Sequence, residues 1–132
     1  MDIVIDTSAI IAVITNEPTK PELIKMTGGA QLFAPHSVHW EIGNAFSAML
    51  KRNRITLAEA HQAIASYQLI PIRFIDIDLK QALELAKRLN IYAYDAYLIA
   101  CAQKKKCALL SLERGLKHAA KRVGITVLEV KP

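Results

Sequence analysis

Hydrophobic and polar positions change period repeatedly along this chain. The first apolar run, Ile3-Val4-Ile5, is short and unbroken and stops at Asp6. A run of that kind suits a strand buried on both faces, as parallel strands are. Helical spacing then carries from a cap at Thr7 or Ser8 to about Thr15, and Glu17-Pro18 breaks it. A second helix is expected over Pro21–Thr27, stopped by Gly28-Gly29, and a second strand over Gln31–Ala34, closed by Pro35. Ser37 opens a long helix to about Arg52, whose apolar stripe is Val38, Ile42, Ala45, Phe46 and Met49. Thr56 with Glu59 three residues later reads as a capping box for a helix over Leu57–Tyr67.

The second half repeats the alternation. Ile70–Ile75 is a strand candidate weakened by Pro71. Asp78 caps a helix through Leu89, and Asp95 is expected to open another through about Lys105. Ala108–Leu112 reads as a strand, Glu113–Arg122 as a helix and Thr126–Val130 as a final strand. Strands alternating with helices predict an α/β fold, a three-layer α/β/α sandwich around a central, mostly parallel sheet. No repeat, linker or low-complexity tract divides residues 1–132, so one domain is expected.

Chemistry is best sought at the C-terminal ends of such strands, where open parallel sheets gather ligands. Asp6 ends the first strand, and Ser111 and Glu113 lie at the end of the fourth. Glu41 lies along the edge of its helix's apolar stripe, and Asp95 shares a face with Leu98, Ile99 and Ala102. A carboxylate on a core-facing stripe is costly unless it is paired, hydrogen-bonded or bound to a cation. Each acid also has a local explanation: Asp6 and Asp95 as helix caps, Glu41 as a partly exposed edge residue. Converging without a cation, however, they would repel one another. Hard oxygen ligands suit Mg²⁺ or Mn²⁺, with Asp6 and Asp95 as the ligands expected to hold it. An ion held there would lower the pKa of a bound water and stabilise charge on a phosphodiester.

Composition changes this picture only in part. A formal net charge of +5 over 132 residues favours an acidic partner and is also ordinary for solubility. Basic residues cluster at Lys51, Arg52 and Arg54, at Lys104–Lys106, and from Arg114 to Arg122. Lys51, Arg52 and Arg114 are the expected contacts for phosphates flanking the acids; as solvated helix ends they would need no such role. Cys101 and Cys107 have neither disulfide-framework nor zinc spacing and are expected to be buried thiols of a cytoplasmic protein. The interrupted apolar N-terminus is not read as a signal peptide, and no stretch is long enough to span a membrane. His36, His39, His61 and His118 share no ligand spacing, and Trp40, Tyr92, Tyr94 and Tyr97 are expected to be core or dimer contacts rather than base-stacking platforms.

Four short segments resemble, in order, the motifs of PIN domains. They are Val4-Ile5-Asp6-Thr7-Ser8-Ala9, Trp40-Glu41-Ile42-Gly43-Asn44-Ala45, Tyr94-Asp95-Ala96-Tyr97-Leu98-Ile99-Ala100, and Leu110-Ser111-Leu112-Glu113 with Leu116, Ala119 and Ala120. The match spans nearly the whole chain and is most similar to the VapC type, the toxin half of toxin–antitoxin pairs. The resemblance implies a PIN fold, Mg²⁺- or Mn²⁺-dependent endoribonuclease activity, dimerisation and inhibition by a small cognate antitoxin. Asp6, Glu41 and Asp95 would be its metal-site acids, with Ser8, Asn44 and Ser111 orienting ligands or water. The fourth motif commonly carries Asp where this chain has Glu113. That residue keeps the charge on a side chain one methylene longer, and either reaches a second ion position or faces solvent at its helix start. A catalytically weak PIN-fold module that binds RNA or protein is the alternative reading. A receiver-like phosphoryl-transfer domain ranks below both, because Asp6 lacks an acidic neighbour.

Overall fold

The computed structural model describes residues 1–131. Four strands, β1 (Asp2–Ile5), β2 (Gln31–Pro35), β3 (Ile72–Ile75) and β4 (Ala108–Leu110), form one sheet in the order β3-β2-β1-β4, and every pairing is parallel. Pairs of helices fill the three crossovers. They are α1 (Thr7–Ile14) with α2 (Lys20–Thr27), α3 (Ser37–Lys51) with α4 (Leu57–Gln68), and α5 (Leu79–Leu89) with α6 (Ala93–Lys105); α7 (Arg114–Arg122) follows β4. The chain moves outward from β1 through β2 to β3, then returns past β1 to β4. Right-handed crossovers therefore place α1–α4 over one face and α5–α6 over the other, the expected three layers. Helix α6 packs on β1, β2 and β4, while α1 packs with α2, α3 and α4.

The central strand is buried as its composition predicts: Ile3 and Val4 are fully enclosed and Ile5 nearly so. Phe33, Ile10, Val38, Ile42, Ile99, Leu109 and Leu116 fill the space around it. The capping box at Thr56 and Glu59 forms, and Asp78 caps α5 by accepting from the backbone N–H of Lys80 and Gln81. Among the described residues no helix is long and apolar enough to cross a membrane.

Several local expectations are corrected. The cap of α1 is Asp6 itself, whose side chain accepts from Ala9 N, rather than Thr7 or Ser8. Helix α6 begins two residues before Asp95, after an extended Tyr92 that supplies no side-chain cap. Strand β3 starts at Ile72 and β4 stops at Leu110, so Ser111 lies just beyond its strand. Thr126–Val130 is not a strand: it makes one isolated bridge, Leu109 with Val127. Cys101 is buried as expected, but Cys107 is only partly so. Of the aromatics expected as core or dimer contacts, Trp40, Tyr92 and Tyr94 are exposed, at 73%, 87% and 57%, which excludes the core half of that expectation.

Candidate active site

The chain leaves β1 towards β2 on one side and returns to β4 on the other, so β1 and β4 form a switch point, where open parallel sheets place their ligand crevice beyond the C-terminal ends of the strands. Asp6 follows β1 and Ser111 follows β4 at that crevice. Asp6 is only 2% exposed, in the company of apolar core residues. Its Oδ1 accepts from Ser8 Oγ at 2.7 Å and from Ala9 N at 3.1 Å, and its Oδ2 accepts from Ser111 Oγ at 2.5 Å. Each serine is held in turn from the chain after β4. Leu112 N donates to Ser8 Oγ at 3.0 Å, and Glu113 N donates to Ser111 Oγ at 2.9 Å. Two serine hydroxyls and the Ala9 amide fix both carboxylate oxygens, and the amides of Leu112 and Glu113 fix the serines.

Three further acids reach the crevice from separate elements. Glu41 stands in the second turn of α3, Asp95 in the first turn of α6, and Glu113 immediately before α7. Burial pushes the Glu41 carboxyl up to about 7, aided by the charges of Asp6, Asp95 and Glu113 and opposed by a hydrogen bond from Thr7. Burial also raises Asp6, partly offset by its serine and backbone donors. Asp95 is raised by burial and by the charge of Asp6, and Glu113 by burial and by the charges of Asp95 and Asp6. The four acids are thus electrostatically one cluster, in which each disfavours the charge of its neighbours.

Thr7 was missed as a site residue. Its hydroxyl donates to Glu41 Oε2 at 3.3 Å, across 34 residues of sequence. Only its place beside Asp6 in the first motif offered a signal. Asn44 lies three residues after Glu41 on the exposed side of α3 and, among the described residues, hydrogen-bonds to none of the acids. Arg114 opens α7 beside Glu113. Lys51 and Arg52 lie at the opposite end of α3, roughly 15 Å from Glu41 along the helix axis. The structure therefore brings Asp6, Ser8, Glu41, Asp95, Ser111 and Glu113 together, puts Arg114 next in sequence to Glu113 and leaves Lys51 and Arg52 a helix length away. His39 Nδ1 pairs with Tyr67 Oη at 2.9 Å, away from the acids, which accounts for it structurally.

The donor set is all oxygen and all anionic, which suits a hard divalent cation. Among the described residues no three His, Cys, Asp or Glu side chains close into a ready-made cage. That arrangement fits Mg²⁺ or Mn²⁺ held by one or two carboxylates, with water and substrate phosphate completing the shell.

Comparison with known proteins gives the family. The family model described as PIN domain matches residues 3–122. Ribonuclease VapC9 of Mycobacterium tuberculosis is 29% identical over 113 residues, which cover 84% of this chain and 85% of that protein. The Pyrobaculum aerophilum protein PAE2754 shares the fold with a TM-score of 0.74 at 20% identity, over 96% of this chain and 83% of its own. VapBC2 of Rickettsia felis, solved bound to a DNA fragment from its promoter, shares it with a TM-score of 0.68 at 16% identity, over 97% and 98%. With four carboxylates gathered at the β1–β4 crevice and a family model spanning nearly its whole length, the chain belongs to the PIN-domain family.

Proposed function

We propose that the chain is a single-domain, Mg²⁺- or Mn²⁺-dependent endoribonuclease of the cytoplasm, the toxin of a toxin–antitoxin pair. The observation that carries this reading is the buried, hydroxyl-clamped carboxylate of Asp6 at the end of the central strand, with Glu41, Asp95 and Glu113 within Coulombic reach. The likeness to ribonuclease VapC9 supports RNA as substrate. The Rickettsia felis VapBC2 assembly supports a small antitoxin as partner.

In this reading Asp6 and Asp95 would hold the divalent ion, which when bound would supply positive charge against the phosphodiester and lower the pKa of a coordinated water. Ser8 and Ser111 fix the direction of the Asp6 oxygens, so the carboxylate reaches the crevice in one orientation. Glu41 stands beside the scissile phosphate, where its carboxyl can take up or return a proton. Glu113 adds negative charge on the β4 side and Asn44 orients water on the α3 side. Arg114 holds a phosphate next to the cut, and Lys51 and Arg52 hold phosphates farther along the RNA. The exposed aromatic side chains of Trp40 and Tyr92 provide apolar surface for a homodimer contact.

The test is cleavage of a structured RNA pool by antitoxin-free protein with Mg²⁺, with Mn²⁺ and with EDTA, beside an Asp6→Asn/Asp95→Asn variant. Metal-dependent fragments absent from the variant are expected. Equal cleavage by the variant would remove the acids from catalysis. No cleavage together with no divalent-ion binding would favour the alternative, a PIN-fold binding module.

A further inference from the structure

A second concavity opens on the same edge of the sheet. It has a volume of about 320 Å³ and lies beyond the C-terminal ends of β2 and β3, lined among others by His36, Ser37, Ile75, Asp76, Ile77 and Tyr97. At a strand spacing of about 4.8 Å, it stands one to two strands, roughly 5–10 Å, from the end of β1. Two helices tie it to the acids. Ser37 precedes Glu41 by one turn on the same face of α3, and Tyr97 follows Asp95 by two residues on α6.

Its lining is mostly apolar with a few polar groups, as small-ligand sites are. Ile75 and Ile77 supply apolar walls. His36 lies stacked on Phe74 with ring centroids 5.7 Å apart, and Tyr97 meets Tyr94 edge-on at 6.0 Å. The Asp76 carboxylate is 92% exposed and is held by His36 Nε2 at 3.0 Å. Ser37 Oγ is shielded from solvent and, among the described residues, has no hydrogen-bond partner. Helix α3 also starts here without a side-chain cap, which leaves its first N–H groups to other acceptors. A cavity of this size, at the small end of ligand sites, holds one ring system rather than a larger molecule.

We propose that this cavity binds one unpaired nucleobase of the RNA, next to the phosphate on the acid cluster, and prefers a base bearing an exocyclic amino group. The proposal rests on the ribonuclease reading above. Unpaired RNA bases are recognised by stacking on aromatic side chains and by hydrogen bonds to their edges. His36 and Tyr97 supply aromatic rings, Ile75 and Ile77 supply apolar walls, and Asp76 supplies a carboxylate acceptor. A carboxylate accepts from the amino group of cytosine, adenine or guanine and meets only carbonyl lone pairs and one imide N–H on uracil.

Two readouts test this. The first is an NMR titration of the full chain with each of the four nucleoside 5′-monophosphates in metal-free buffer. Saturable shifts at the amides of Ser37, Ile77 and Tyr97 are expected. At least one of AMP, GMP and CMP should bind about five- to tenfold more tightly than UMP, the lower end of a good base contact. Asp76→Ala should reduce that preference to within about twofold. Shifts confined to the residues around Asp6, or equal affinity for all four nucleotides, would overturn the proposal. The second readout replaces each base flanking the cut site by uracil in a cleaved RNA. One position should lose activity in the wild type and lose nothing further in Asp76→Ala. Cleavage that shows no such position would sink the cavity and leave the nuclease standing. An RNA pool left uncut would sink the nuclease, and the nucleotide titration would still decide the cavity.

Discussion

The charge state of the acid cluster gives a stability prediction whose sign is unusual for carboxylates. Most paired carboxylates have depressed pKa values, and acid destabilises the fold. Here Glu41 rises from 4.5 to about 7, and Asp6, Asp95 and Glu113 move in the same direction. The folded state therefore binds protons that the unfolded chain releases between pH 4.5 and 7. Stability is fully present below the unfolded value near 4.5 and is lost as pH rises through the folded value near 7. For a fully shielded group the interval would correspond to roughly 3 kcal/mol, at 1.36 kcal/mol per pH unit. Glu41 is only half-buried, so solvent screening reduces its share to about 1–2 kcal/mol. The assay is urea unfolding in EDTA at pH 5.5 and pH 8, on wild type and on Glu41→Gln. The wild type is expected to be more stable at pH 5.5 by about 1–2 kcal/mol more than the variant is. A saturating divalent ion should reverse the trend, since it binds the charged form and adds about 2.7 kcal/mol at a hundredfold excess over its Kd. Identical pH slopes for wild type and Glu41→Gln would refute the reasoning.

Four other outcomes follow from the same geometry. Asp6→Asn should lower metal-dependent RNA cleavage by at least about a hundredfold, because it replaces a carboxylate proposed to hold the ion with a neutral amide. Ser111→Ala strips Asp6 Oδ2 of its donor and Glu113 N of its acceptor, and should cost about 1–3 kcal/mol in denaturant unfolding. Thr7→Val removes the hydroxyl that favours the charged form of Glu41, so a carbon-13 NMR titration of metal-free protein should show the Glu41 carboxyl moved further up. Arg114→Ala should weaken RNA binding evenly across sequences and reduce the slope of log affinity against log salt by roughly one.

Much of the fold could be read from local chemistry, and the failures share a cause. Ile3-Val4-Ile5, the Thr56–Glu59 box and Asp78 are each complete within a few residues, and each forms as read. The expected strand at Thr126–Val130 depended on a partner that local pattern does not reveal. Strand β4 is three residues long, and its Leu109 alone exchanges backbone bonds with Thr126 and Leu128, so pairing stops at one bridge. The start of α6 was misplaced because Tyr92 takes the cap position with no side-chain bond, while Asp95 two residues inside resembles a cap. At the site, Asp6 and Ser111 are legible as polar residues at strand ends, and Glu41 and Asp95 as acids on apolar helix stripes. The Thr7–Glu41 and Leu112–Ser8 bonds join positions 34 and 104 residues apart, and only the assembled sheet brings them together.

The two serines that clamp Asp6 also set a direction for hydrogen. Each hydroxyl has one proton, gives it to the carboxylate and receives a backbone N–H on its oxygen. The circuit runs one way, from the amides of Leu112 and Glu113 to Asp6, and a carboxylate is the only terminus that accepts from both limbs. An amide at position 6 would present an N–H to one serine and turn that limb against itself. The backbone amides of Leu112 and Glu113 therefore act as sentinels. Their resonances register what happens to the Asp6 carboxyl from positions more than a hundred residues along the chain, with no label placed in the crevice.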